Sequence, residues 1–440
     1  MGPSIMPPAQ AQVRLMLAGQ LAAARARTDA LFQLVTADGL SSRPIAERHR
    51  LIFYLGHLEA FDWNLVCRDA LGRASLNATF EKLFAFGIDP LDGQHPGDAP
   101  SDWPSADAIR AWTAPARRAV DEAIARGPLE GWLEEGWAAR IAIEHRLMHE
   151  ETLCYLLQRT ELRFKRPGLL PPVSTTRSVS APVHIPAGLV ALGLSRATDP
   201  HLGWDNEYER HAVEVPAFTI SKLPVSNAQW LEFLDAGGYR ERSLWTDDDW
   251  SWREREGITH PSFWRFRDGQ WWWIAMFGEL PLPGSWPVYV SHAEASAYAR
   301  WQGGRLPTEA EWQRAAFGSS DQPFPWAGPN VAPSVHGNFG GVRFDPVESG
   351  SHPGGDSAFG VSDLMGNGWE WTSTVFAPFA GFEPLPFYPG YSANFFDGRH
   401  FVMKGASAPT DAAFLRPSFR NWFQPHYQHV FAKFRLVTHG

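Results

Sequence analysis

The sequence predicts a multidomain α and α+β protein, in which a helical bundle is followed by an irregular α+β domain, and three observations carry that reading. Apolar residues recur at spacings of three and four along much of 9–162, as they do on the buried face of a helix. A run of prolines (Pro167, Pro171, Pro172, Pro182 and Pro186) then forbids a helical continuation. Beyond it come short strand-like runs rich in aromatic residues, and most of the 21 tryptophans lie there, including Trp271, Trp272 and Trp273. Such a domain is built on aromatic packing or stacks a ligand on aromatic faces.

Helices are expected over 9–35, 44–70, 105–126 and 134–162, with a Pro-, Gly- and Asp-rich loop over 87–104 between the second and third. Four helices with one long connection suggest a bundle. The expected division is a bundle over 1–165, a linker over 166–182 and a second domain over 183–440. Within the second domain, 292–301 and 309–316 read as helices.

Composition narrows the function classes. A net charge of −9 without a concentrated basic run argues against nucleic acid, which needs clustered Lys and Arg. No stretch approaches the roughly 20 apolar residues of a membrane span, and the N-terminus does not read as a cleavable leader, so a cytoplasmic address and no membrane partner are expected. Cys67 and Cys154 fall in helical apolar patterns and read as core residues.

The chemistry-bearing motif is Glu144-His-Arg-Leu-Met-His-Glu-Glu151. His145 and His149, four apart on a helix, share one face at the spacing needed to hold one cation. His57 lies mid-pattern on another predicted bundle helix, and facing helices are where bundles build metal sites. Three neutral imidazoles suit zinc, copper or iron. A six-coordinate ion would keep three positions open, a tetrahedral zinc one, so oxidation and hydrolysis both remain. Glu151 could orient a ligand imidazole or be a solvated helix charge.

In the second domain, Gly304-Arg-Leu-Pro-Thr-Glu-Ala-Glu-Trp312 and Leu364-Met-Gly-Asn-Gly-Trp-Glu-Trp-Thr372 resemble the two characteristic stretches of the formylglycine-generating enzyme fold, a C-type-lectin-like domain. Asp205-Asn-Glu-Tyr208 with His211, and Pro224-Val-Ser-Asn-Ala-Gln-Trp230, resemble that family's opening. Its C-terminal cysteine pair is missing here, which excludes copper–thiolate chemistry of the formylglycine type; Ser418 and Phe419 stand in a stretch without a thiol.

A bundle bearing these histidines, DinB-like in that setting, joined to a lectin-like domain, is similar to the ergothioneine-type sulfoxide synthases. That resemblance implies Fe(II) bound by His57, His145 and His149. It implies that Asn421 and Trp422 receive hercynine, the trimethylammonium betaine of histidine, which aromatic faces hold well. A closing of the second domain over the histidines goes with it. Tyr388 and Tyr391 are the candidate phenolic proton donors.

Departures from the family bear on the chalcogen donor. Phe423 stands where members using γ-glutamylcysteine carry an Asp, Met148 replaces a Gln that some members place before the last histidine, and no arginine occurs between Arg73 and Arg110. The loop offers Asp89, Asp92, Asp98, Asp102 and Trp103 instead, equipment for a hydroxyl-rich donor. With the C-terminal tail, this makes the chain most similar to the selenoneine synthase subgroup, which joins a selenosugar to hercynine. Alternatives are an ergothioneine sulfoxide synthase using cysteine or γ-glutamylcysteine, a metal-dependent hydrolase or transferase, and a sugar-binding module.

Overall fold

The structure is a computed structural model that describes residues 8–85, 97–127, 136–173, 180–199 and 203–438. The chain separates into two compact units, Met1–Leu169 and Leu170–Gly440.

In the first unit, α1 (Pro8–Gln33), α2 (Leu51–Asp62), α3 (Ala78–Leu83), α4 (Ala106–Arg126) and α5 (Trp137–Arg159) follow in order. The helix α1 packs on α5 and α4, and α2 packs on α4 and α5. Their apolar stripes meet in a core that includes Leu21, Phe53, Tyr54, Ile109, Val120, Ile141 and Leu156. Cys67 and Cys154 are buried free thiols, and burial pushes Cys67 up to about 11. The four expected helices are present, with two differences. The second starts at Leu51 rather than near 44, because Arg50 is held extended by bonds from its guanidinium to the Ser41 carbonyl (2.7 Å) and to Asp98 (2.8 Å). From Trp63 to Asp69 it continues with π-type spacing. The short α3 was not foreseen. Six residues show no period, and the helix rests on a cap, the Asn77 side chain accepting from Phe80 N at 3.0 Å. Asp89 and Asp92 lie outside the described residues.

Among the described residues the second unit holds four small sheets. One joins β1 (Pro182–Ile185), β4 (Phe218–Ser221) and β12 (Val437–Thr438) in the order β1-β4-β12, while β2 (Gly188–Leu192) pairs with β3 (His211–Val215). A meander follows, β5 (Trp264–Arg267), β6 (Gln270–Ala275) and β7 (Gly278–Pro281). The last sheet has the order β10-β9-β8-β11, from β8 (Gly368–Val375), β9 (Phe401–Ala406), β10 (Asn421–Phe423) and β11 (Ala432–Lys433). Beside the expected helices, now α8 (His292–Trp301) and α9 (Glu309–Phe317), stand α6 (Asn227–Asp235) and α7 (Asp247–Arg255). Ser226, Thr246, Ser291 and Thr308 cap these four helices by accepting a backbone N–H in the first turn.

Residues of this unit's motifs bond to one another and hold the unit together. Trp312, from the first of the two stretches quoted above, donates through Nε1 to Glu370 of the second at 2.9 Å. Glu207 of the Asp205–Glu207 turn takes Arg416 (2.6 Å) and Ser418 (2.5 Å), tying the start of the unit to its tail. Among the described residues no helix is long and apolar enough to cross a membrane.

Candidate metal centre

α2 and α5 bring His57, His145 and His149 together. One ligand atom from each lies within 4.8 Å of the others, and the Nε2 atoms of His57 and His149 are 3.2 Å apart. All three side chains are buried, and this is the cluster of three or more His, Cys, Asp or Glu able to hold a metal ion among the described residues. Two metal–imidazole bonds of about 2.1 Å at near-right angles set their nitrogens about 3 Å apart, so the spacing fits one shared ion.

Electrostatics prepare the same donors. Burial lowers His57 to about 4, and it holds His145 and His149 well below the usual histidine range, with the neighbouring Arg146 charge acting in the same direction on all three. At neutral pH the imidazoles are therefore neutral, the form that ligates. Packing fixes their planes: Phe61 lies flat on His145, with ring centroids 3.4 Å apart, and Phe53 stacks on His57 at 4.8 Å. His57 Nδ1 donates to the Phe84 carbonyl at 2.7 Å. The Nδ1 atoms of His145 and His149 are buried without a hydrogen-bond partner among the described residues.

Arg146, wholly buried next to His145, couples the two helices that carry the histidines. Its Nη2 donates to the carbonyl of Leu58, the neighbour of His57, at 3.1 Å, and to Asp62 at 2.7 Å, and it stands 3.0 Å from Glu59. The sequence offered a signal that was missed, a guanidinium inside an otherwise apolar helix face. Gly56 and Phe84 were missed as well, and nothing local in the sequence marks them.

The remaining sequence candidates are placed as follows. Met148 and Glu151 are half-buried on α5. Glu151, two residues past His149, is turned roughly 200° from it around the helix. The buried carboxylate there is Glu150, which accepts from Arg27 at 2.9 Å. In the second unit, Asn421, Trp422 and Phe423 form β10, the edge strand on β9, with Trp422 opposite Val402. Trp422 stacks on Phe376 at 4.2 Å and meets the edge of Tyr391 at 5.5 Å, while Tyr391 is buried flat against Trp204 at 4.0 Å. Tyr388 is 5.8 Å from Tyr391, and Phe423 stacks on Tyr427. An aromatic box thus surrounds Trp422.

Of the loop carboxylates, Asp98 and Asp102 fall within the described residues and both are engaged by the protein itself. Asp98 is engaged by Arg43, by Arg50 at 2.8 Å and by Trp103 Nε1 at 2.6 Å, and Asp102 accepts from Ala99 N at 2.7 Å. Arg43 and Arg50, which engage Asp98, lie on the segment that also carries Arg48, whose charge is close enough to act on His149.

Both units match known protein families. Residues 168–439 match the family of sulfatase-modifying factor enzyme 1-like domains, and residues 20–153 match the DinB superfamily. The chain is 38% identical over 339 residues to hercynine oxygenase of Mycobacterium tuberculosis, covering 74% of this chain and 77% of that protein. It is 28% identical over 445 residues to ergothioneine biosynthesis protein 1 of Schizosaccharomyces pombe, covering 92% of this chain and 54% of that longer protein. Formylglycine-generating enzyme of M. tuberculosis is 32% identical over 242 residues, 46% of this chain. With a DinB helical unit, a sulfatase-modifying-factor-like unit and relatives of this kind, the chain belongs to the ergothioneine-type sulfoxide synthase family of oxidative enzymes.

Proposed function

We propose that the chain is a non-heme Fe(II) enzyme that couples a chalcogen donor to the imidazole carbon of hercynine at the expense of O2, and that a selenosugar is its preferred donor. The observation that carries the metal assignment is the cluster of His57, His145 and His149, neutral, buried and spaced for one ion. When bound, Fe(II) supplies the activation of O2 and gathers reactants that would otherwise meet by chance. The protein's own contribution is to keep the three imidazoles unprotonated, to fix their planes against Phe61 and Phe53, and to exclude water with an apolar lining.

Hercynine is assigned to Asn421 and Trp422, because a quaternary ammonium cannot donate hydrogen bonds and aromatic faces hold it well. The box of Phe376, Tyr391, Phe395 and Trp422 supports this. Tyr391, packed against Trp422, is the better-placed proton donor, with Tyr388 as its neighbour. Phe423 and Met148 are assigned to the donor and acceptor surroundings, and Glu151, half-buried and turned away from His149, is read as a solvated helix charge.

Donor preference follows from engaged charges. Arg43 and Arg50 are both tied to Asp98, which leaves them poor forks for a dipeptide carboxylate, and Phe423 offers an ammonium no counter-charge. A specific observation favours the second reading, cysteine or γ-glutamylcysteine as donor: Arg48 adds positive charge beside His149. Oxygen consumption by the Fe(II)-loaded enzyme with hercynine and competing donors decides between them. A selenosugar is expected to outcompete γ-glutamylcysteine by about 100-fold in kcat/KM, equivalent to ~2.7 kcal/mol in the transition state. Preference for γ-glutamylcysteine would return the chain to the ergothioneine branch, and O2-independent turnover with zinc would indicate a hydrolase.

A further inference from the structure

We propose that Gly56 and Phe84 form a clamp that sets the tautomer and plane of His57, so that the segment of α3 is a positioning element of the metal site. The inference rests on the reading that the three histidines bind a metal.

A backbone carbonyl can only accept, so the 2.7 Å contact between His57 Nδ1 and Phe84 O requires the proton on Nδ1. The lone pair is then on Nε2, the atom that faces His149 Nε2 at 3.2 Å. Among the described residues His145 and His149 have no comparable acceptor at Nδ1, so His57 is the ligand whose orientation the protein fixes by a hydrogen bond.

The carbonyl is where it is because Phe84 lies directly on α2. A Cβ added at Gly56 would come within 2.6 Å of three atoms of the Phe84 ring. The ring cannot simply swing aside, since it is fully buried among Phe80, Trp103 and Trp112, at centroid distances of 5.7, 6.0 and 6.2 Å. A side chain at position 56 therefore moves the backbone of residue 84, and with it the acceptor. From the other side, the Asn77 cap, Glu81 Oε1 accepting from Leu76 N and Asn77 N, and Asn64 Nδ2 donating to the Glu81 carbonyl hold α3 against the π-type segment. Glycine weakens a helix interior, so its presence beside a ligand is explained by this close approach.

The test has two arms on the full chain. Co(II) binding to the metal-free protein, followed by visible absorption, is compared among wild type, Gly56→Ala and the double variant Gly56→Ala/Phe84→Leu, whose smaller side chain makes room while keeping the carbonyl. Gly56→Ala is expected to weaken Co(II) affinity by about 10- to 100-fold, as loss of an orienting partner does, and the double variant to recover most of it. Unchanged affinity in Gly56→Ala, or no recovery in the double variant, overturns the clamp. The second arm needs no altered backbone: nitrogen-15 NMR of histidine-labelled metal-free wild type, with the His57 signals assigned by their absence in His57→Gln. A proton on Nδ1 of His57 is expected, and a proton on Nε2 with Nδ1 bare overturns the proposal. If wild type binds no Co(II), the metal reading fails by itself, and the NMR arm still judges the hydrogen bond.

Discussion

Two buried polar clusters, one in each unit, are equally hidden from water and opposite in how they are satisfied. In the second unit, Glu370 accepts from Trp312 Nε1 at 2.9 Å and from Arg435 at 2.7 and 2.5 Å, with Lys433 at 3.4 Å. Lys433 donates to the carbonyls of Gly366 and Gly368, and Arg435 to those of Ser221, Lys222 and Ser362. In the first unit, the three histidines turn their ring nitrogens toward one another, and two Nδ1 atoms have no partner among the described residues. A fully paired network costs nothing further to keep and specifies the core; an incompletely paired one is worth retaining where something else completes it. The motif around Glu370 is accordingly a matter of fold, whereas the histidine cluster is one that a bound ion would complete.

That contrast breaks down if the two clusters respond alike to substitution. The largest effect is expected at Glu370. Glu370→Ala leaves Arg435 and Lys433 buried without their counter-charge and should destabilise the second unit by about 3–5 kcal/mol in denaturant unfolding. Next comes acid. The folded-state pKa of His57 is depressed to about 4 from an unfolded value near 6.5, so the folded state binds fewer protons in that interval. Its contribution to stability is complete above pH 6.5 and is lost as pH falls toward 4, a loss of roughly 3 kcal/mol for the metal-free protein, to be followed by thermal unfolding across that range. Glu370, whose carboxyl is held below its ordinary value by Arg435 and Lys433 against the opposing cost of burial, should add its loss only below about pH 4.5. The smallest effect on stability is expected for His149→Leu, which replaces an imidazole whose Nδ1 has no partner among the described residues, and whose Nε2 contacts His57 Nε2, with an apolar side chain of similar size. A change under ~1.5 kcal/mol in the metal-free protein is predicted, against a collapse in metal affinity.

Much of this was legible where the information is local. The pair His145 and His149 declares itself because four residues is one helical turn, and the capped helices α8 and α9 follow from short-range periodicity. His57 could be added only from the bundle context and the family resemblance, since 92 residues separate it in sequence from His149. The parts that complete the site were out of reach for the same reason. Arg146 acts through the Leu58 carbonyl 88 residues away, and Phe84 acts through a main-chain oxygen that carries no residue identity. The loop carboxylates were read as available acceptors, whereas Asp98 is neutralised by Arg43 and Arg50 from 48 to 55 residues earlier. In the second unit, α7 escaped notice because Asp247–Arg255 is highly charged; it is held by the Thr246 cap and by Asp249, which accepts from His426 Nε2 at 2.9 Å.

The most direct measurement is an anaerobic Fe(II) titration of the metal-free wild type and of the His145→Ala/His149→Ala double variant, with iron quantified after gel filtration and folding checked by circular dichroism. One tightly held iron per chain is expected in wild type and almost none in a double variant that remains folded. Full iron occupancy in that variant would contradict the assignment of the metal to His57, His145 and His149 and move the metal centre away from the three histidines.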